Sequence, residues 1–136
     1  MINIRTSLFE TNSSSVHSMI LCDTNDYDAW LQGKKLLNSD YFYRYSFARN
    51  DEAPMFVTPE EAAKYDVNYP YPPAKRDQWD ELKLEWEDED GNWHNRKFIT
   101  LEEYEEGYCR WYDRFNEDYI TPRGDEVTCF GYYGRD

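Results

Sequence analysis

Rings outnumber branched aliphatics in this chain, and that sets what its core is made of. Tyr 13, Phe 7 and Trp 5 stand against Leu 8, Ile 5 and Val 4. Leu, Ile, Val and Phe together supply 24 of 136 residues, a share that, with high net charge, ordinarily marks disorder. Disordered chains are poor in aromatics, whereas here aromatics are 18% of the residues. Each buried ring removes about 150–250 Å² from water. The expectation is therefore a folded domain with an aromatic core, and a length of 136 residues suits one domain.

Charge is the second constraint. Fifteen Lys and Arg face 28 Asp and Glu, for a formal net charge of −13. Residues 77–136 hold 18 of those acids and 7 of the bases, so the negative field belongs to the C-terminal half. Phosphate backbones repel such a chain, which argues against direct nucleic-acid binding. No stretch approaches the ~18 apolar residues of a membrane span, and the first ten residues carry Arg5 and Glu10 instead of an apolar signal segment. Cys22, Cys109 and Cys129 are odd in number and widely spaced. They support neither a zinc framework nor a disulfide scaffold, and the expectation is buried thiols in a reducing cytoplasm. No cofactor is expected.

The pattern predicts an α+β domain: an antiparallel sheet of hairpins with two or three short helices packed on one face. Strands are expected at 2–9, 16–22 and 41–47, the second too apolar for an exposed edge. A polar turn at 10–15 joins the first two. Thr24 or Asn25 is placed to cap a helix through Tyr27, Trp30 and Leu31 that ends at Gly33. Thr58-Pro59-Glu60-Glu61 opens a second helix with a capping box. The segment Tyr69-Pro70-Tyr71-Pro72-Pro73 is neither helix nor central strand, and reads as a connection inside one domain. Leu82, Leu84 and Trp86 alternate with charged residues as a half-buried strand. Residues 88–92 turn it back into a partner strand over 93–99. Thr100 and Glu103 form another capping box. Leu101, Tyr104, Tyr108, Trp111, Tyr112 and Phe115 then line one face of a helix about four turns long, with Gly107 a weak point worth roughly 1 kcal/mol against Ala. A hairpin around Pro122-Arg123-Gly124-Asp125 closes the chain.

Phe9-Glu10-Thr11-Asn12-Ser13-Ser14-Ser15-Val16-His17-Ser18 resembles the opening signature of a family of small phage and Firmicutes-type bacterial proteins. Cys22-Asp23 with Tyr27, Trp30 and Gly33 is similar to that family's next segment, and Cys129-Phe130-Gly131-Tyr132-Tyr133-Gly134 to its close. The acidic middle is particular to this chain. The resemblance implies a phage or mobile-element context, and hence a host-cell cytoplasm, but no reaction.

Two sites compete for function. The acidic one comprises Asp77, Asp80, Glu81, Glu85, Glu87, Asp88, Glu89 and Asp90, with Glu102 and Glu106 beyond it and Trp79, Trp86 and Trp93 as aromatic anchors. Such a face presents carboxylates where a nucleic-acid binder expects phosphates. The expected partner is a basic, nucleic-acid-handling host or defence protein, inhibited much as anti-CRISPR proteins inhibit theirs, by analogy alone. The other site is the loop of Asn12, Ser13, Ser14 and Ser15 with His17, whose hydroxyls and imidazole suit a small ligand or hydrolytic chemistry. No nucleophile elbow or phosphate loop supports it, and a hydrogen-bonded turn explains the same residues. His94 beside Glu89 and Asp90 reads as solvated rather than metal-binding, and Glu102 with Glu106 as a solvated helix face. Binding rather than catalysis is the expectation.

Overall fold

The computed structural model describes residues 15–41 and 53–134. The predicted strand at 2–9, the turn before Ser15 and all of the 41–47 strand but Tyr41 lie outside them. The elements run β1 (Ser15–Asp23), α1 (Thr24–Leu31), β2 (Leu36–Asn38), a 3-10 turn (Ser39–Tyr41), β3 (Phe56–Val57), α2 (Pro59–Tyr65), β4 (Lys75–Arg76), β5 (Leu82–Lys83), β6 (Glu85–Glu87), β7 (Trp93–Asn95), β8 (Phe98–Ile99), α3 (Leu101–Glu103), a π-helical turn (Tyr104–Tyr108), β9 (Asp113–Ile120) and β10 (Glu126–Gly134). The class is α+β, with antiparallel pairing throughout the described sheets.

The one sheet expected from sequence is instead four small ones, ordered β1-β10-β9, β3-β2-β8, β4-β5 and β6-β7. Lys83, Glu85 and Glu87 stay exposed while Leu82 and Leu84 are buried, the alternation of an antiparallel strand with one solvated face. The alternation at Leu82, Leu84 and Trp86 is correct, yet β5 and β6 pair with different partners. The returning segment divides likewise: β7 pairs with β6, and β8 joins β2. Among the described residues β1 lies at the outer side of its sheet, with Ile20 buried and Met19 and Leu21 exposed, because successive side chains point to opposite faces.

The core lies on the other face of that sheet. Phe130 and Tyr132 of β10 point the same way. Tyr27 and Trp30 of α1 pack on Phe130, at ring-centroid distances of 5.0 and 5.4 Å. Tyr104 meets Phe130 at 5.9 Å and Tyr132 at 6.0 Å. Both helical segments therefore cover one sheet face. The cluster extends to Leu37, Phe56, Leu82, Leu84 and Ile99, so residues on either side of the proline segment share it. A smaller cluster of Leu36, Ala53, Val57, Ala62 and Phe98 seats α2.

Both predicted capping boxes are present, with Thr58 and Glu61 bonded reciprocally, and Thr100 and Glu103 likewise. The cap of α1 is Asp23, whose Oδ1 accepts the Asn25 N–H at 2.8 Å. Thr24 turns inward and bonds Thr128 across the sheet at 2.9 Å.

The four-turn helix over 101–115 does not form. After α3 the Cys109 N–H bonds the Tyr104 carbonyl at 3.0 Å, a π-helical closure, and by Asp113 the chain is a strand. The ring spacing serves both forms: Tyr104 is buried from the turn, Phe115 from the strand, and Trp111 is left outside. A Cβ at Gly107 would lie 2.6 Å from Leu84 Cδ1, so a side chain there would force Leu84 to shift. In a regular helix, Gly107→Ala would gain about 1 kcal/mol. The observed packing predicts the opposite sign, a loss of about 1–3 kcal/mol from overpacking, measurable as a lower denaturation midpoint in urea.

Candidate functional site

The acidic run folds into two internally wired turns, not one uniform face. In the first, Asp77 Oδ1 accepts the backbone N–H of Trp79 at 2.8 Å and of Glu81 at 3.0 Å. The Glu81 bond, followed by that of Trp79 and by Lys83, holds the Asp77 carboxyl below its ordinary range. Lys83 Nζ lies 3.4 Å from Asp77 and 3.3 Å from Glu81. Asp80 takes a left-handed φ of 57° at the turn. Its carbonyl accepts from both Arg76 and Arg110, and its carboxylate lies 3.8 Å from Arg76.

In the second turn, Asp88 Oδ1 accepts the N–H groups of Asp90 and Asn92, each at 2.9 Å. Gly91, following Asp90, supplies the positive φ of the turn expected over 88–92. Asp88 Oδ2 is 2.7 Å from His94 Nε2, so the imidazole pairs with Asp88 and not with Glu89 or Asp90. Its ring stacks on Trp86 at 5.3 Å, and Tyr71 packs on Trp86 at 5.6 Å. Among the described residues, no group of three His, Cys, Asp or Glu side chains is arranged to hold a metal.

Of the predicted acidic residues, Asp77, Asp80, Glu81, Asp88 and Glu106 thus have partners within the chain; Glu106 pairs with Arg76. Glu85, Glu87, Glu89, Asp90 and Glu102 are exposed and in no ion pair among the described residues. The Arg96–Glu103 pair, 2.7 Å and largely shielded, fastens the start of α3 to the β6–β7 hairpin. Trp79 and Trp93 are 71% and 66% exposed, whereas Trp86 is half-buried in its stack. Trp111, expected in the core, is 72% exposed with Arg110 over its ring at 5.3 Å.

Sequence reasoning missed a groove of about 490 Å³ beside this hairpin. Pro72 and Pro73 wall it, with Lys75, Lys83, Glu85, Glu87 and Trp93 around it. Arg96 donates to the Pro72 carbonyl and covers Tyr71 at 5.4 Å, which pins the proline segment to the hairpin. No local motif announces a groove whose walls come from segments twenty residues apart.

Asn12, Ser13 and Ser14 lie outside the described residues. Ser15 and His17 are in β1, and its ladder shifts register between Val16 and Ser18, so regular alternation is interrupted there. The three cysteines are free thiols. Burial pushes Cys22 and Cys109 each up to about 12 and raises Cys129 as well, which suits packing rather than nucleophilic work. No helix among the described residues is long and apolar enough to cross a membrane. No family model, curated protein or solved structure matches the chain.

The second turn has a defined acid response. The His94 bond, then the Asn92 N–H, hold the Asp88 carboxyl below its ordinary 3.8. A lowered carboxyl stabilises the fold above its unfolded value and stops doing so as pH falls through the folded one. Ring-current shifts of His94 on Trp86 should therefore persist at about pH 4 and fade only at lower pH. Asp88→Asn should weaken the stack at neutral pH and flatten that acid dependence.

Proposed function

We propose that this protein works by binding a basic surface of a nucleic-acid-handling host or defence protein and blocking its access to nucleic acid. The observation that carries this reading is the set of exposed carboxylates Glu85, Glu87, Glu89, Asp90 and Glu102 with no ion pair among the described residues, beside the exposed rings of Trp93 and Trp79. Glu85 and Glu87 are held on a short strand, Glu89 and Asp90 on the hydrogen-bonded turn that follows it, and Glu102 on a capped helix start, so the backbone sets their spacing before a partner arrives. Preorganised charge steers encounter and sets register, while exposed tryptophans give the buried anchors on which binding energy concentrates. Like charges this dense cost stability in the isolated chain, and a cationic partner relieves that repulsion. Spaced carboxylates on a folded frame offer a phosphate-reading surface the charge pattern it expects, which makes the reading one of mimicry.

The test uses the purified protein as bait at low salt. A basic nucleic-acid-binding protein should be retained, should be displaced by duplex DNA, and should associate about tenfold or more slowly between roughly 50 and 300 mM salt. Reversing Glu85, Glu87, Glu89 and Asp90 to Lys should abolish retention with the fold intact, because Asp88, which the turn needs, is kept. Retention by the reversed variant, or failure of DNA to compete, would overturn the reading.

A further inference from the structure

We propose that the groove beside the β6–β7 hairpin receives an arginine side chain of the basic partner, its guanidinium laid on the Trp93 indole and held by Glu85 and Glu87. This rests on the binding function proposed above and names what that surface grips.

Strand register makes the pocket. Glu87 lies directly across from Trp93 and Glu85 across from Asn95. Side chains alternate along a strand, so Glu85, Glu87 and Trp93 share one side of the ribbon, while Trp86, stacked on His94, lines the groove from the other. The indole is 66% exposed, and all three residues line the groove.

The charges in the groove choose between ligands. Arg76, Lys83 and Lys75 line it too. Arg76 is committed to Glu106 and Asp80, and Lys83 to Asp77 and Glu81. Lys75 remains against the two carboxylates of Glu85 and Glu87, and Glu89 and Asp90 add to the field from the adjoining turn. In the lining itself Asp77, Glu85 and Glu87 match the three cations, and the further carboxylates of Glu81 and Glu106 paired to them, with Glu89 and Asp90, leave a field that favours a cation over a phosphate.

Geometry selects arginine over lysine. A planar guanidinium stacks on an indole and donates in parallel to a carboxylate, neither of which a compact ammonium does as well. The volume of about 490 Å³ exceeds one side chain, and the Pro72–Pro73 wall offers apolar cover to the methylene stem and its flanking residues. Because Arg96 fixes that wall, little ordering remains for the ligand to impose.

An arginine-rich peptide and a lysine counterpart of equal length and charge are titrated into the full chain, with the Trp93 indole N–H followed by NMR. The arginine peptide should bind about tenfold tighter, a preference of the size a stacked, carboxylate-held guanidinium provides. Trp93→Ala, or Glu85→Gln with Glu87→Gln, should remove the preference, lowering arginine-peptide affinity about tenfold more than lysine-peptide affinity. Trp93→Phe should keep part of it, and Glu126→Gln, on the far β9–β10 hairpin, should leave both affinities unchanged. Equal binding of the two peptides, with Trp93→Ala silent, would overturn the groove assignment and leave the acidic-surface function standing. Binding of neither peptide at low salt would overturn both. Saturation of the Trp93 signal by ATP in place of the arginine peptide would also overturn the assignment.

Discussion

The indole of Trp30 fixes how the two halves of the chain meet. Its ring is 1% exposed and packs on Tyr27, Phe56, Tyr104 and Phe130, which come from four different elements. Its N–H donates to the Ile99 carbonyl at 3.1 Å, 69 residues away. A buried donor left unmade costs about 1–3 kcal/mol, so this bond sets the rotation of the indole as well as its depth. Aromatic pairs add about 0.5–1.5 kcal/mol each beyond burial, and only in offset or edge-on geometries. A core of a few rings is therefore directional in a way that an aliphatic core is not. It draws short segments from across the chain to one point, which is why strands of two or three residues suffice for β2, β3 and β8.

That economy leaves the acidic half to organise itself by charge. Lys75 stands directly opposite Lys83 in the β4–β5 pair, an arrangement that is destabilising when unrelieved. Asp77 and Glu81 relieve it at Lys83. Arg76 and Arg110 converge on Asp80, and Arg96 ties the proline wall, the hairpin and α3 together. Arg76, Lys83, Arg96 and Arg110 are thus scaffolding: each closes a turn or joins two elements.

What was legible in the sequence was whatever depends on neighbours in the chain. Capping boxes at Thr58 and Thr100, the Asp-Gly turn at Gly91 and the hairpin around Gly124 all appear where expected. The helix over 101–115 was not legible correctly, because rings at 104, 108, 111, 112 and 115 satisfy a helical period while the same Phe115 fits the alternation of a strand. The structure takes the strand, pairing Phe115 with Gly131 of β10, a partner sixteen residues on that no local period reveals. The Asp23 cap was missed for a similar reason: Thr24 is the better local candidate until Thr128 claims its hydroxyl. The acidic site was legible as composition but not as geometry. Sequence places eight carboxylates in one run and cannot show that Asp77 and Asp88 are spent on backbone N–H groups.

That distinction separates structural charge from functional charge in this protein. A carboxylate that accepts two backbone donors and a cation has little attraction left for a partner, since its field is cancelled within the fold. Glu85, Glu87, Glu89, Asp90 and Glu102 have no such internal use, and they cost the isolated chain mutual repulsion. Their positions on a strand, a hydrogen-bonded turn and a capped helix start keep the backbone from drifting apart to relax the repulsion. A surface of that kind gains most from a partner that brings cations already spaced to match, and a nucleic-acid-binding face is such a surface because phosphate spacing has set its cations. Trp93 adds what charge alone lacks. An indole flanked by carboxylates rewards a planar cation placed on its face more than one merely nearby, so the same hairpin that attracts a basic protein at a distance discriminates among its side chains on contact.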